Sequence, residues 1–270
     1  MIFRLRIPSK PGLALAWLAC FALFSLQIAL FREFTIDDAF ITFRYVKQWV
    51  AGNGLVFNIG ERVEGYSNFL WVVLLAPFHA LGVDLVLASK ALGVLLGVVT
   101  LLLTAALVGN GWRGVGASIL LAVSAPFGVW AVAGLETMLF ACLFAASALA
   151  FAREEEAGRG WLSGPLFALL ALSRFEGLMF GLLASIVRGV RLWREGKPVQ
   201  PHDWLRLALW LAPIAVHMAW RLSYYGYPMP NTVYAKSMGL HPRAFVEGAY
   251  YLYTSVLALG GALPLLVAGL

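Results

Sequence analysis

Apolar residues run through this chain in long unbroken blocks, and polar residues are confined to the gaps between them. The blocks at residues 12–31 and 85–108 can cross a hydrocarbon core of about 30 Å as helices. No alternating ten-residue pattern points to a barrel. The same pattern predicts spans at 115–133, 137–152 and 204–220, and a last one that begins near 249 and is still apolar at Leu270. Two blocks are too short to cross. Residues 68–81, which contain Pro77 and His79, are expected to re-enter or to lie on the surface. Residues 161–172 and 178–187 form a helical pair whose legs reach only about 15 to 18 Å. Their tip, Ser173 to Gly177, should therefore stop short of the far surface unless the legs sit in a thinned or protein-lined cavity. The fold class is all-α, a polytopic transmembrane helical bundle.

The polar exception is residues 35–68, which a bilayer would reject. Ile36, Ala39, Phe40, Phe43, Val46 and Val50 share one helical face, which predicts an amphipathic helix lying on the membrane. Gly52, Asn53, Gly54, Asn58 and Gly60 then mark turns. With residues up to 84, this makes one loop between the first two spans, at 32–84.

Composition agrees: 61% of the 270 residues are hydrophobic and 13% charged, and the mean hydropathy is +0.81. Ordinary soluble domains carry about 25% charged residues. The basic pI of 9.5 reads as a membrane-orientation signal and not as nucleic-acid binding. Arg4, Arg6 and Lys10 precede the first block, which is read as an uncleaved span and not a cleaved signal peptide. Its start is then cytoplasmic, and the 32–84 loop faces the periplasm or exterior. If residues 68–81 do not cross, the cluster Arg188, Arg191, Arg194 and Lys197 falls inside together with the whole formal charge of +6. The run at 153–160, REEEAGRG, is expected to be a solvated cytoplasmic loop. Cys20 and Cys142 fall inside spans as small apolar fillers, and the four histidines lack metal-ligand spacing. The apolar ending suggests a chain that continues past Leu270.

This orientation gathers Asp37, Asp38, Glu64, Glu136 and Glu176 on one face, together with Arg44, Arg174 and Lys236. Charge at membrane depth is costly and marks functional cavities, which gives Arg174 and Glu176 the most weight. They also read as a self-compensating pair at a helical turn. Asp37 and Asp38 differ by about 100° around a helix. Asp37 shares a face with Arg44 and Gln48, and Asp38 with Thr42 and Tyr45. One carboxylate can act as a general base while the other caps the helix; both also fit as capping acids. Glu136 fits an N-cap region. The segment at 224–236, YYGYPMPNTVYAK, supplies aromatics, an amide and an ammonium after two prolines. It reads as a binding wall, with Lys236 holding a phosphate, or as an interfacial aromatic belt with a snorkelling lysine.

The order DDAFITFRYV (37–46), GNGLVFNIGERVEGYSNFLW (52–71), GLET (134–137), SRFEG (173–177) and PNTVYAK (230–236) resembles the terminal arabinofuranosyltransferases of the mycobacterial cell wall and their bacterial relatives, within the GT-C superfamily. The resemblance covers about residues 11–240. It implies a bacterial plasma-membrane enzyme with an external first loop of membrane-lying helices. Its implied partners are a polyprenyl-phosphate sugar donor, a cell-envelope glycan acceptor and membrane lipid. By the resemblance, Asp37 is the base that deprotonates the acceptor hydroxyl and Asp38 the acid beside it. Glu64 and Glu136 match later external acids that shape the site, Arg44 and Tyr66 of the same loop are candidate substrate contacts, and Asn231, Tyr234 and Lys236 match the late external motif. Arg174 and Glu176 match a pattern usually written with Pro between them, where this chain has Phe175.

The expected chemistry is inverting transfer of a sugar, arabinofuranose favoured, with polyprenyl phosphate leaving. Arg174, Lys236 or a divalent metal would meet the leaving charge; the carboxylates leave the metal open. Other lipid-phosphate sugars, a hexose or aminoarabinose, fit the same motifs, as does a non-catalytic carrier of lipid-linked sugar or assembly subunit.

Overall fold

A computed structural model of the chain describes residues 11–109, 111–236 and 242–258, and every regular element among them is a helix. The chain divides into two compact units, Met1–Pro230 and Asn231–Leu270. The first holds α1 (Pro11–Phe31), α2 (Asp38–Val50), α3 (Phe69–Ala80), α4 (Leu85–Val108), α5 (Trp112–Ala122), α6 (Ala125–Val132), α7 (Thr137–Ala157), α8 (Ser163–Ser173), α9 (Gly177–Arg194) and α10 (Pro201–Tyr225). The second holds α11 (Asn231–Lys236) and α12 (Pro242–Ala258). Residues 259–270 of the expected last span lie outside the described residues.

α1, α4 and α7 are each long and apolar enough to cross a membrane. α4 packs against α5, α6 and α7, and α1 against α5 and α6. Lipid offers helices no hydrophobic reason to associate, so small residues that permit close approach carry the packing. Gly97 of α4 lies beneath the Phe24 ring of α1, and Gly93 lies against the Ala131 carbonyl of α6. Cys20 and Cys142 are buried free thiols, as the sequence predicts.

The expected span at 115–133 is not one helix. α5 and α6 meet at a bend of 67°. Pro126 sits in the first turn of α6, and Ser124 ahead of it is extended (φ −69, ψ 115), the backbone that residues near the start of such a helix favour. The break frees the Val123 carbonyl, and Gln27 Nε2 of α1 donates to it at 3.2 Å. A polar residue inside an apolar helix thereby satisfies a backbone group that lipid cannot.

α2 buries Ala39, Thr42, Phe43, Tyr45 and Val46 against α3. Most of the predicted apolar face is used up inside the protein, while Phe40 and Val50 remain exposed at its flanks. α3 has 12 residues, about 18 Å of helix, which agrees with the expectation that 68–81 is too short to cross.

The expectation of a solvated loop at 153–160 holds for Arg153, Glu156 and Arg159, which are exposed, and fails for Glu154 and Glu155. α7 continues to Ala157 and stops at Gly158 in the left-handed conformation (φ 66). Glu154 and Glu155 are buried. Glu155 pairs with Arg188 at 3.3 Å and Arg191 at 3.1 Å, and Arg188 pairs with Asp203 at 2.9 Å. Glu154 accepts from the amide and hydroxyl of Ser163 at 2.9 and 2.5 Å. The run reads as solvated because its partners lie on α8, α9 and α10, far away in sequence.

The α8–α9 pair has legs of 11 and 18 residues, so the second leg is longer than the sequence pattern suggests. Both ends of this pair are tied to α7. Arg174 at the tip reaches Glu136, and Arg188 reaches Glu155. These two acids stand nineteen positions apart on α7, roughly 28 Å along the axis. From Arg174 to Arg188 the hairpin itself covers only about 21 Å. The side chains of the paired residues span the difference.

A methyl group added at Gly93 would overlap the Ala131 carbonyl, whereas one at Gly116 meets nothing within 4 Å. Gly93→Ala should cost about 1–3 kcal/mol through overpacking. Gly116→Ala should instead gain a few tenths of a kcal/mol or more from helix propensity. Thermal melts of the two variants in the same detergent, followed by tryptophan fluorescence, should move in opposite directions.

Candidate functional site

Glu136, Arg174 and Glu176, three of the charged residues that the sequence singles out, meet Asn68 and Thr42 in a chain of contacts across four segments. Glu136, the residue before α7, is buried. One of its oxygens accepts from Asn68 Nδ2 at 2.7 Å and the other from Arg174 Nη1 at 3.2 Å. Arg174 Nη2 donates to Glu176 at 3.1 Å. On the other side, Asn68 Nδ2 is 3.1 Å from the Thr42 hydroxyl, which is 3.3 Å from Asn68 Oδ1. The chain Thr42–Asn68–Glu136–Arg174–Glu176 therefore joins α2, the start of α3, the start of α7 and the hairpin tip.

Two further bonds lock the backbone around it. Ile36 N–H donates to the Ala133 carbonyl at 3.1 Å, and Trp71 Nε1 donates to the Gly134 carbonyl at 3.0 Å. Gly134 has φ +91, and a methyl group there would press on Ala39 and Thr35. A glycine is needed for both reasons, conformation and close approach.

Asp37 and Asp38 stand beside this chain and not within it. Asp37 is the residue before α2, and its carboxylate accepts from Asp38 N–H at 3.0 Å. Asp38 lies in the first helical turn, one turn ahead of Thr42 on the same face. Both are exposed, so their oxygens remain open to a ligand while serving the helix terminus. Arg44 does not reach back to them. Its Nε donates to the Phe57 carbonyl at 2.6 Å, and its guanidinium covers the Phe57 ring at 4.7 Å.

Glu64 and Tyr66 belong to a second cluster. Glu64 Oε2 lies 3.0 Å from Arg221 Nε, in ionic contact but without the alignment of a hydrogen bond. The Tyr45 hydroxyl donates to the Val63 carbonyl at 2.6 Å and accepts from Gly65 N–H at 2.8 Å. The Tyr225 hydroxyl donates to the Leu55 carbonyl at 2.7 Å and lies 3.3 Å from the Tyr66 hydroxyl. Burial lifts the Glu64 carboxyl to about 7, against the opposing charge of Arg221. Burial also pushes the Tyr66 phenol well above its usual range.

Asn231, Tyr234 and Lys236 lie on α11 in the second unit, and Tyr234 is exposed. The residues that sequence reasoning missed are Thr42, Asn68 and Arg221. Asn68 carried a signal as a buried-block boundary with a side-chain amide. Arg221 sits in an apolar helix, where an unexplained cation asks for a partner.

The raised pKa of Glu64 predicts a pH dependence with a definite sign. The ordinary value is 4.5 and the folded value about 7, so the folded state keeps a proton that the unfolded state releases. Its stability contribution is full below about 4.5 and is lost as pH rises through about 7. Glu64→Gln, which cannot ionise, should melt at a temperature that varies less between pH 5 and 8. The wild-type melting temperature should fall relative to the variant across that window.

No family model matches the chain, and no solved structure matches it. Among curated proteins, the terminal beta-(1->2)-arabinofuranosyltransferase of Mycobacterium tuberculosis is 31% identical over an alignment of 228 residues that covers 76% of this chain and 35% of that protein. The protein of the same name from Corynebacterium glutamicum is 50% identical over 40 residues, 15% of this chain and 6% of its own length. The chain thus spans about a third of the length of the longer-matching relative. Over three quarters of its length, this helical membrane chain is a sequence relative of the terminal beta-(1->2)-arabinofuranosyltransferases.

Proposed function

We propose that the chain is part of a membrane glycosyltransferase of GT-C type. In this reading it moves a sugar, arabinofuranose first, from a polyprenyl-phosphate donor to a hydroxyl of a cell-envelope glycan on the periplasmic or external face of the plasma membrane. The observation that carries the reading is the convergence of Glu136, Arg174 and Glu176 beside the exposed Asp37 and Asp38. The named activity of the relatives supports it.

Asp37 is the base. Its carboxylate takes the proton of the acceptor hydroxyl, the oxygen attacks the anomeric carbon from the face opposite the phosphate, and the bond to the phosphate oxygen breaks. The configuration inverts, and polyprenyl phosphate leaves with the bonding electron pair. Asp38 orients the acceptor from the same helix end. Glu136 and Glu176 share one guanidinium, so the wall they form carries net negative charge at full ionisation. Such a wall favours the positive charge that develops on the sugar ring. It does not by itself favour the leaving phosphate, for which the Arg174 guanidinium is the cation in this wall. Among the described residues no three His, Cys, Asp or Glu side chains gather as a metal site, and no step here is routed through a metal.

Asparagine caps a helix as well as aspartate does, so Asp37→Asn removes the base and keeps the helix end. Transfer from labelled donor should fall by about 10²–10⁴-fold while membrane insertion and lipid binding stay unchanged. Near-normal turnover in this variant would remove Asp37 from the base role, and absence of transfer in the unsubstituted protein as well would favour a carrier of lipid-linked sugar over an enzyme.

A further inference from the structure

Glu64 and Arg221 form a buried charged pair at the Asp37 end that the proposed transfer chemistry does not use. Their side chains are 2% and 7% exposed. Both carboxylate oxygens are shut off from solvent and neither makes a hydrogen bond. An acid that contacts a sugar presents an oxygen to it, and Glu64 presents none.

The pair instead joins segments. Arg221 lies in the last turns of α10, and its Nη1 also donates to the Pro228 carbonyl at 3.3 Å. One guanidinium thus ties the 52–68 segment to the end of α10 and to the turn that follows it. That segment has no helix or strand of its own. It is held from the α10 side by Arg221 and by Tyr225 at Leu55. From the α2 side it is held by Tyr45 at Val63 and Gly65, and by Thr42 at Asn68. Tyr45 and Thr42 are three residues apart on one helix face, and Glu64 and Asn68 are four apart on the strip that lies along it. A shift at Glu64 is therefore passed to Asn68, whose amide reaches Glu136 at 2.7 Å.

We propose that Glu64 and Arg221 are positioning residues, an internal charge pair that seats the 52–68 segment on α10 and so sets Asn68 against Glu136. The functional half of this proposal rests on the reading of the Asp37 loop as a transfer site. The seating half does not.

Buried charges make the test asymmetric. At pH 8, above the value of about 7 at which Glu64 ionises, removing Arg221 strands the carboxylate in a dry site, whereas removing both leaves no charge to strand. Hydrogen exchange by mass spectrometry on the wild-type chain and its variants, reconstituted in lipid nanodiscs, reads the seating directly. Arg221→Met should speed exchange across residues 55–67 by roughly a hundredfold while α4 and α7 keep their protection. The double variant Glu64→Gln with Arg221→Met should recover most of that protection. In a transfer assay, kcat should fall in Arg221→Met and recover in the double variant, with the KM for donor little changed. Wild-type protection in Arg221→Met, or a double variant as open as the single one, overturns the proposal. If the wild type transfers no sugar, the transfer reading fails, and the exchange result still decides the seating.

Discussion

A charged carboxylate is costly to bury unless its oxygens are paired, and both oxygens of Glu136 are, by Asn68 and Arg174. Leaving such a group unpaired away from water costs several kcal/mol, so the three segments that carry these residues are held together at the start of α7. The helix terminus helps, since unpaired amides there favour negative charge. The position of the Asp37 loop follows from this constraint. Asn68 brings the strip before α3, Thr42 brings α2, and the Ile36 to Ala133 bond brings the residue next to Asp37.

The opposite end of α7 obeys the same rule with different residues. Glu154 and Glu155 are buried and are answered by Ser163, Arg188 and Arg191, with Arg206 and Asp203 close by. The α8–α9 hairpin is thereby fastened at both ends of α7. Its tip presents Arg174 at a fixed height because neither end is free to slide.

Long apolar blocks made α1, α4 and α7 legible in the sequence, because a run of twenty apolar residues has few other uses. The break between α5 and α6 was also written there, in Pro126, but the overall apolarity of 115–133 hid it. Of the site, Glu136, Arg174 and Glu176 were legible as charges beside apolar blocks, where charge is costly. Their pairing was not, since Arg174 lies thirty-eight residues from Glu136. The acidic run at 153–160 misled for the same reason: its partners are distant in sequence, and a string of acids alone looks solvated. Asn68 and Arg221 were passed over because one stood at a boundary and the other inside a helical pattern.

An acid-lined end of a helical membrane chain, built around a guanidinium and faced by two exposed aspartates, suits chemistry on a sugar held at the membrane surface. The relative that aligns over three quarters of this chain is named an arabinofuranosyltransferase. The most direct test of that claim is to incubate the purified full-length protein with labelled polyprenyl-phosphate arabinose, alongside other lipid-phosphate pentoses and hexoses, and follow the label into an arabinan acceptor. Transfer of arabinose in preference to the other sugars is the predicted result, and failure to transfer any lipid-phosphate sugar would contradict it.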